Sequence, residues 1–192
     1  MMLNELNASL TLIISQTQAN WRILAICIAL PWLVYVLNLF AHQRLLYLGI
    51  IPRRLIGLPG ILFAPLLHAD FNHLFFNTIP LLVLSDFLLI NGFHYFLIVT
   101  LSITCLSGLL IWCFAKPGIH IGASALITGY WGLLVSNIYE QGSLTAFILG
   151  GLSLYYFFGI FLGLFPSDKG ISWQGHLFGL IAGLVVSYVL YF

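Results

Sequence analysis

The amino-acid sequence predicts an all-α membrane protein, a bundle of six transmembrane helices with an interfacial loop between the first two. Two observations lead there. Of the 192 residues, 61% are hydrophobic and 6% charged, and mean hydropathy is +1.09. Soluble domains carry about 25% charged residues, so this chain has too few to cover a water-facing surface. The apolar residues also fall into six runs long enough, or nearly so, to cross a hydrocarbon core of about 30 Å as helices, whose backbone groups are satisfied within the segment. A soluble enzyme and a disordered chain are excluded, and the lipid bilayer is the surrounding that the composition demands. A formal net charge of +1 leaves no footprint for a polyanion, so nucleic acid is not an expected partner.

The runs are 21–40, 71–90, 94–114, 124–139, 144–165 and 175–192. Residues 1–20 form an N-terminal tail, and 21–192 a single transmembrane domain. In the tail, Leu3, Leu6, Leu10 and Ile13 fall near one helical face, which suits a helix lying along the interface. The first long run is long enough to span and has no Ala-x-Ala site after it, so no cleavable signal peptide is expected. Segment 42–70 holds Arg44, Arg53, Arg54 and three prolines among many Leu and Ile. It is too broken to span and too apolar to lie free in water, so it should pack against the bundle at the interface. The other connections are short, and no internal repeat suggests a transporter.

The fourth run is short. At 1.5 Å per residue it covers about 24 Å. With its C-terminal end at one interface, its N-terminal Ser124 lies below the other. A hydroxyl, a helix N-terminus and a Gly-containing approach then sit at membrane depth, where they are tolerated only if they face protein or water.

Ionisable and polar residues within the runs are the functional candidates. His73 and Asn77, four apart, share a helical face, with His68 five residues earlier. By itself this pair serves equally well as interhelix hydrogen-bonding glue. His176 shares a face with Gly179 and Gly183 in the last run, where Gly175, Gly179, Gly183 and Ser187 make a small-residue stripe. Ser124, Thr128, Gly132 and Ser136 make a matching stripe in the fourth. Packing the two stripes together would bring the His176 imidazole toward Ser124. A lone serine in such a stripe is more often packing than nucleophile, but a histidine at the same end of the partner helix shifts the balance. Asp86 and Glu140 are expected to solvate at the interface, and His42, His94 and His120 are assigned no role. Cys27, Cys105 and Cys113 form no CxxC pair and suit packing in lipid. There is no HExxH zinc motif and no pair of aspartates on two runs. A metal held by His68, His73 and His176 ranks below the serine because no carboxylate partner is evident. No metal or cofactor is expected.

Three patches together resemble the rhomboid intramembrane serine proteases. His68, His73 and Asn77 follow the pattern HxxxxHxxxN on the second run. Gly122 and Ser124 follow GxSG at the fourth, and His176, Gly179 and Gly183 follow HxxGxxxG on the sixth. The resemblance covers the chain from about Leu48 onward. It implies a Ser124–His176 dyad, with Ser124 the nucleophile and His176 the general base and then general acid. The oxyanion hole would come from the His73 and Asn77 side chains and the Ser124 backbone N–H. His68 would support the polar entrance, Gly122 the approach to the nucleophile, and Gly179 and Gly183 the helix contact. Loop 166–174 would be a mobile cap, and the second or fifth helix would move to admit substrate. The substrates implied are transmembrane segments of other membrane proteins, cut near small residues, in a multi-pass protein of a bacterial inner membrane.

Two positions depart from the family pattern. Ala125 stands where the motif has Gly, and Thr128 where many members carry an aromatic that stacks on the catalytic imidazole. These departures keep a second expectation open, a catalytically weak or inactive rhomboid-like protein that binds membrane segments. A channel or transporter ranks third because the midplane is poor in charge. The Lys and Arg count places the N-terminus outside. The resemblance places it in the cytoplasm, and that is the orientation expected here. The oligomeric state is not legible.

Overall fold

The computed structural model describes residues 2–165 and 173–191, and its regular structure is helical. The helices are α1 (Met2–Phe40), α2 (Gly60–Phe63), α3 (Phe71–Leu89), α4 (Phe93–Phe114), α5 (Ser124–Glu140), α6 (Leu144–Phe157), α7 (Gly159–Leu162) and α8 (Trp173–Tyr191). Short 3-10 turns punctuate the segment between α1 and α3. Local signals set several boundaries. The Asp70 carboxylate accepts the His73 backbone N–H at 2.9 Å and caps α3. The Ser143 hydroxyl accepts from the Ala146 N–H at 3.1 Å and caps α6. Gly92, at φ +97°, turns the chain into α4.

Among the described residues four helices, α1, α3, α4 and α8, are long and apolar enough to cross a membrane, whereas α5 and α6 are shorter. The short α5 is the centre of the molecule. It packs on α8, α6, α3 and α4, and every residue from Leu126 to Leu134 is buried. Leu84 and Leu88 of α3, Val99 and Ile103 of α4, Leu133 of α5 and Ala182 of α8 make the core around it. The outward faces of α1, α4 and α8 remain apolar, as expected where the surrounding medium is lipid.

The first helix differs from the expectation. It runs unbroken from Met2 to Phe40, so residues 2–20 continue the first helix instead of forming a separate tail. At 1.5 Å per residue, its 39 residues reach about 58 Å. Polar contacts tie it down along its length. Ser9 accepts from Thr145 of α6 at 3.1 Å, Asn20 donates to the Leu89 carbonyl at 3.3 Å, and Trp32 donates to Thr78 at 3.1 Å. Thr17 donates to Asp86 at 2.8 Å. Asp86 is therefore half-buried between α1 and α3 and not simply solvated, and its other oxygen has no partner among the described residues. The fifth run is also broken, because α6 ends at Phe157 and α7 resumes at Gly159.

Segment 42–70 packs against the bundle, as its composition requires. Ile50 and His120 form a reciprocal antiparallel bridge at 3.0 and 2.9 Å. The Arg53 guanidinium donates to the Cys113 and Ala115 carbonyls at 3.2 and 2.9 Å, satisfying the end of α4. Trp112 in turn donates to the Arg54 carbonyl at 2.9 Å. The Ala64 carbonyl accepts the Gly122 N–H at 2.8 Å, which positions the approach to α5.

Candidate active site

Helices α5 and α8 lie side by side and run parallel. A β-carbon at Gly179 would overlap the Ala125 carbonyl, and one at Gly183 would overlap the Gly129 carbonyl. Each step of four on one helix thus matches a step of four on the other. Ser124 immediately precedes Ala125, and His176 lies about one turn before Gly179, so both stand at the same end of this contact. They line one cavity of about 1050 Å³ together with His73, Asn77 and Gly122. Gly179 and Gly183 of the expected α8 stripe make this contact, but on α5 they meet Ala125 and Gly129, one position along from the expected stripe of Ser124 and Thr128. Only glycine allows the two backbones so near, and the helix ends then come with them.

Gly122 approaches α5 with φ at +107°, a conformation that L residues rarely adopt. A β-carbon there would lie 2.6 Å from His73 Nε2 and 3.8 Å from Asn77 Nδ2. The glycine therefore serves twice, turning the chain and leaving room for the imidazole beside the first residues of α5.

His68 lies elsewhere than expected. It is 1% exposed, so it forms a buried support behind the site and not its entrance. Its Nε2 accepts from Asn77 Nδ2 at 3.0 Å and from the Ala123 backbone N–H at 3.5 Å. Two donors on one nitrogen require that nitrogen to be unprotonated. Burial first, and then the neighbouring His73, push the His68 pKa down to about 4, which holds the ring in this neutral state. The His68 and His73 rings meet edge to face with centroids 4.9 Å apart. Asn77 is thus oriented from behind by a histidine that itself anchors the start of α5.

The His176 ring is held through its other edge. Its Nδ1 lies 2.9 Å from the Gly163 carbonyl, which follows α7. A carbonyl can only accept, so Nδ1 carries the proton. Thr128, at the position expected for a stacking ring, donates its hydroxyl to the Ser124 carbonyl at 2.7 Å within α5. Ala125 packs against the buried cluster of Ile50, Ile61, Ala64, Ile111 and Ala115, so its methyl group has a place. Ser124 and His176 make no direct hydrogen bond among the described residues, and catalytic hydrogen bonds are often long before substrate binds. At the cavity mouth, Gln174 accepts from the Lys116 backbone N–H at 3.0 Å. Of the expected cap, residues 166–172 lie outside the described residues, and Trp173 and Gln174 begin α8.

Of the candidates named from the motifs, His73, Asn77, Gly122, Ser124 and His176 line the cavity, whereas His68 is buried away from it and Gly179 and Gly183 lie along the α5–α8 contact. Two contributors, the carbonyls of Gly163 and Ala64, were not anticipated. No side-chain pattern announces them, because each residue of a chain carries a carbonyl.

The chain is similar to known proteins over most of its length. A model of the Rhomboid domain matches residues 57–191. An uncharacterized protein of Mycobacterium tuberculosis is 40% identical over 173 residues, covering 85% of this chain and 72% of the relative. One from Mycobacterium bovis gives the same figures. An uncharacterized protein of Mycobacterium leprae is 37% identical over 172 residues, covering 84% of this chain and 68% of its own.

Proposed function

The chain belongs to the rhomboid family of membrane proteins, and from that premise we propose that it is an intramembrane serine endopeptidase that cuts transmembrane segments of other proteins. The observation that carries this reading is the close α5–α8 contact, at whose one end Ser124 and His176 line the same cavity as His73 and Asn77. Six spans fit the reading, with α5 and the α6–α7 unit as the two short ones. The short α5 sinks Ser124 below the membrane surface, and the cavity supplies the water that hydrolysis requires.

In this mechanism Ser124 Oγ attacks the scissile carbonyl carbon while His176 Nε2 takes the hydroxyl proton. The oxyanion that forms is met by the His73 and Asn77 side chains and the Ser124 backbone N–H, at the positive end of the α5 dipole. The C–N bond then breaks, and His176 returns its proton to the leaving amine. Water, deprotonated by the same imidazole, releases the acyl group and restores Ser124. The residues do this without a metal or organic cofactor. The protein would sit in a bacterial plasma membrane with its N-terminus in the cytoplasm.

The decisive experiment pairs a fluorophosphonate probe with a model transmembrane substrate. Wild type should be labelled and should cleave, and Ser124→Ala should do neither while melting as wild type does. Thr128, whose hydroxyl bonds the Ser124 carbonyl and offers the imidazole no stacking ring, favours one alternative, a catalytically weak or inactive rhomboid-like protein that binds membrane segments. That alternative predicts binding of the model segment with no labelling.

A further inference from the structure

Resting on the protease reading, we infer that Gly163 is a positioning residue for His176: its carbonyl selects the tautomer a general base needs, and its missing side chain makes room for the imidazole. In a Ser–His–Asp triad an acidic side chain accepts the Nδ1 proton and keeps Nε2 free to act as base. No such carboxylate stands beside His176 among the described residues. Its Nδ1 instead meets the Gly163 carbonyl at 2.9 Å. Which imidazole nitrogen holds the proton is set by the hydrogen bond the other makes or lacks. A donor bond from Nδ1 leaves Nε2 as a lone pair, as proton abstraction from Ser124 requires.

Three features make this contact a built one. The Gly163 N–H donates to the Ile160 carbonyl at 3.0 Å, so the end of α7 fixes where the Gly163 carbonyl lies. Carbonyls in the last turn of a helix have no intrahelical partner and are available to an outside donor. A β-carbon on Gly163 would fall 2.5 Å from His176 Nδ1 and 2.9 Å from Cε1, so the ring occupies the space a side chain would fill. The backbone at Gly163, φ −71° and ψ −8°, is one any L residue adopts. Glycine is therefore needed here for the ring and not for the turn. Where Thr128 supplies no stacking surface, this carbonyl is what holds the imidazole.

The contact joins two elements, because Gly163 belongs to the segment that continues α6, whereas His176 belongs to α8.

The test reads the tautomer directly, independently of activity. Nitrogen-15 spectra of histidine-labelled protein in detergent micelles, with the His176 signals assigned by their loss in His176→Ala, should show the neutral ring protonated at Nδ1. In Gly163→Ala the proton should shift wholly or partly to Nε2. Fluorophosphonate labelling of Ser124 and kcat on a model substrate should fall about 10²–10⁴-fold, the range a general base contributes, with KM little changed. Gly159→Ala, in the same segment but with open space at its β-position, should leave spectrum and turnover unchanged. A wild-type ring protonated at Nε2 would overturn the inference, as would a Gly163→Ala protein with unaltered tautomer and labelling. If wild-type Ser124 is neither labelled nor active, the protease reading fails, and the spectra still judge the Gly163 contact.

Discussion

Gly179 and Ala125 meet backbone to backbone, so near that a β-carbon on residue 179 would overlap the carbonyl oxygen of residue 125. This contact, repeated one turn later by Gly183 and Gly129, holds the two halves of the candidate dyad at one level. A carbonyl of a buried helix cannot retreat as a flexible side chain can. Gly179→Val should therefore separate α5 from α8, lowering the melting temperature and activity together. Overpacking of well-packed interiors typically costs about 1–3 kcal/mol. Thermal unfolding in detergent checks this, and an unchanged melting curve would contradict the contact.

Gly122→Ala should impair activity more than stability. The new methyl would meet His73 Nε2 at 2.6 Å and force an unusual φ of +107° on an L residue. The loop is otherwise anchored by the Ala64 carbonyl, so the fold should persist while His73 is displaced. Turnover of a model substrate beside a melting curve separates the two effects. Equal loss of both would mean the glycine serves the fold alone.

Asn77→Ala should lower kcat about 10²–10³-fold with KM retained, the loss expected for one oxyanion donor. Asn77 also donates to His68 at 3.0 Å, so a control is needed. His68→Gln keeps an acceptor behind Asn77 and should be milder. If kcat and KM shift in proportion in Asn77→Ala, the side chain acts in substrate binding and not on the oxyanion.

His68 gives the protein an acid-sensitive element. The folded ring takes a proton only near pH 4, whereas a free imidazole does so near 6.5. Between those values the unfolded state binds more protons, so stability falls as pH drops through this window and is fully present above 6.5. The melting temperature of wild type should decline on acidification from neutrality to about pH 5, and His68→Gln should remove part of that slope. Identical slopes in the two proteins would show that His68 does not carry the effect.

Much of the site was legible in the chain because it is built from side chains at helical spacing. His73 and Asn77 fall on one face of α3 through a step of four, and Gly179 and Gly183 mark the contact face of α8, although on α5 they meet Ala125 and Gly129 and not the Ser124 and Thr128 that the spacing suggested. The His68 environment was not legible. Five residues before His73 it could equally have faced the entrance, and only the course of the chain through Leu67 and Asp70 turns it inward. The continuation of α1 back to Met2 was missed for a related reason. Polar residues such as Thr17 and Asn20 interrupt the apolar run, yet each finds a partner on α3 that keeps the helix intact.

The sequence by itself determined the apolar surroundings, the helical class and the set of candidate groups, because partition into lipid and helical periodicity sum over residues wherever they end up. Only the tertiary structure decided that the Gly163 carbonyl should lie against His176 Nδ1, that His68 should stand behind Asn77, and that Ala125 should have room. Those outcomes depend on the direction of carbonyls and the space between elements. Residue types do not encode such quantities, and they arise only when helices distant in the chain are pressed together.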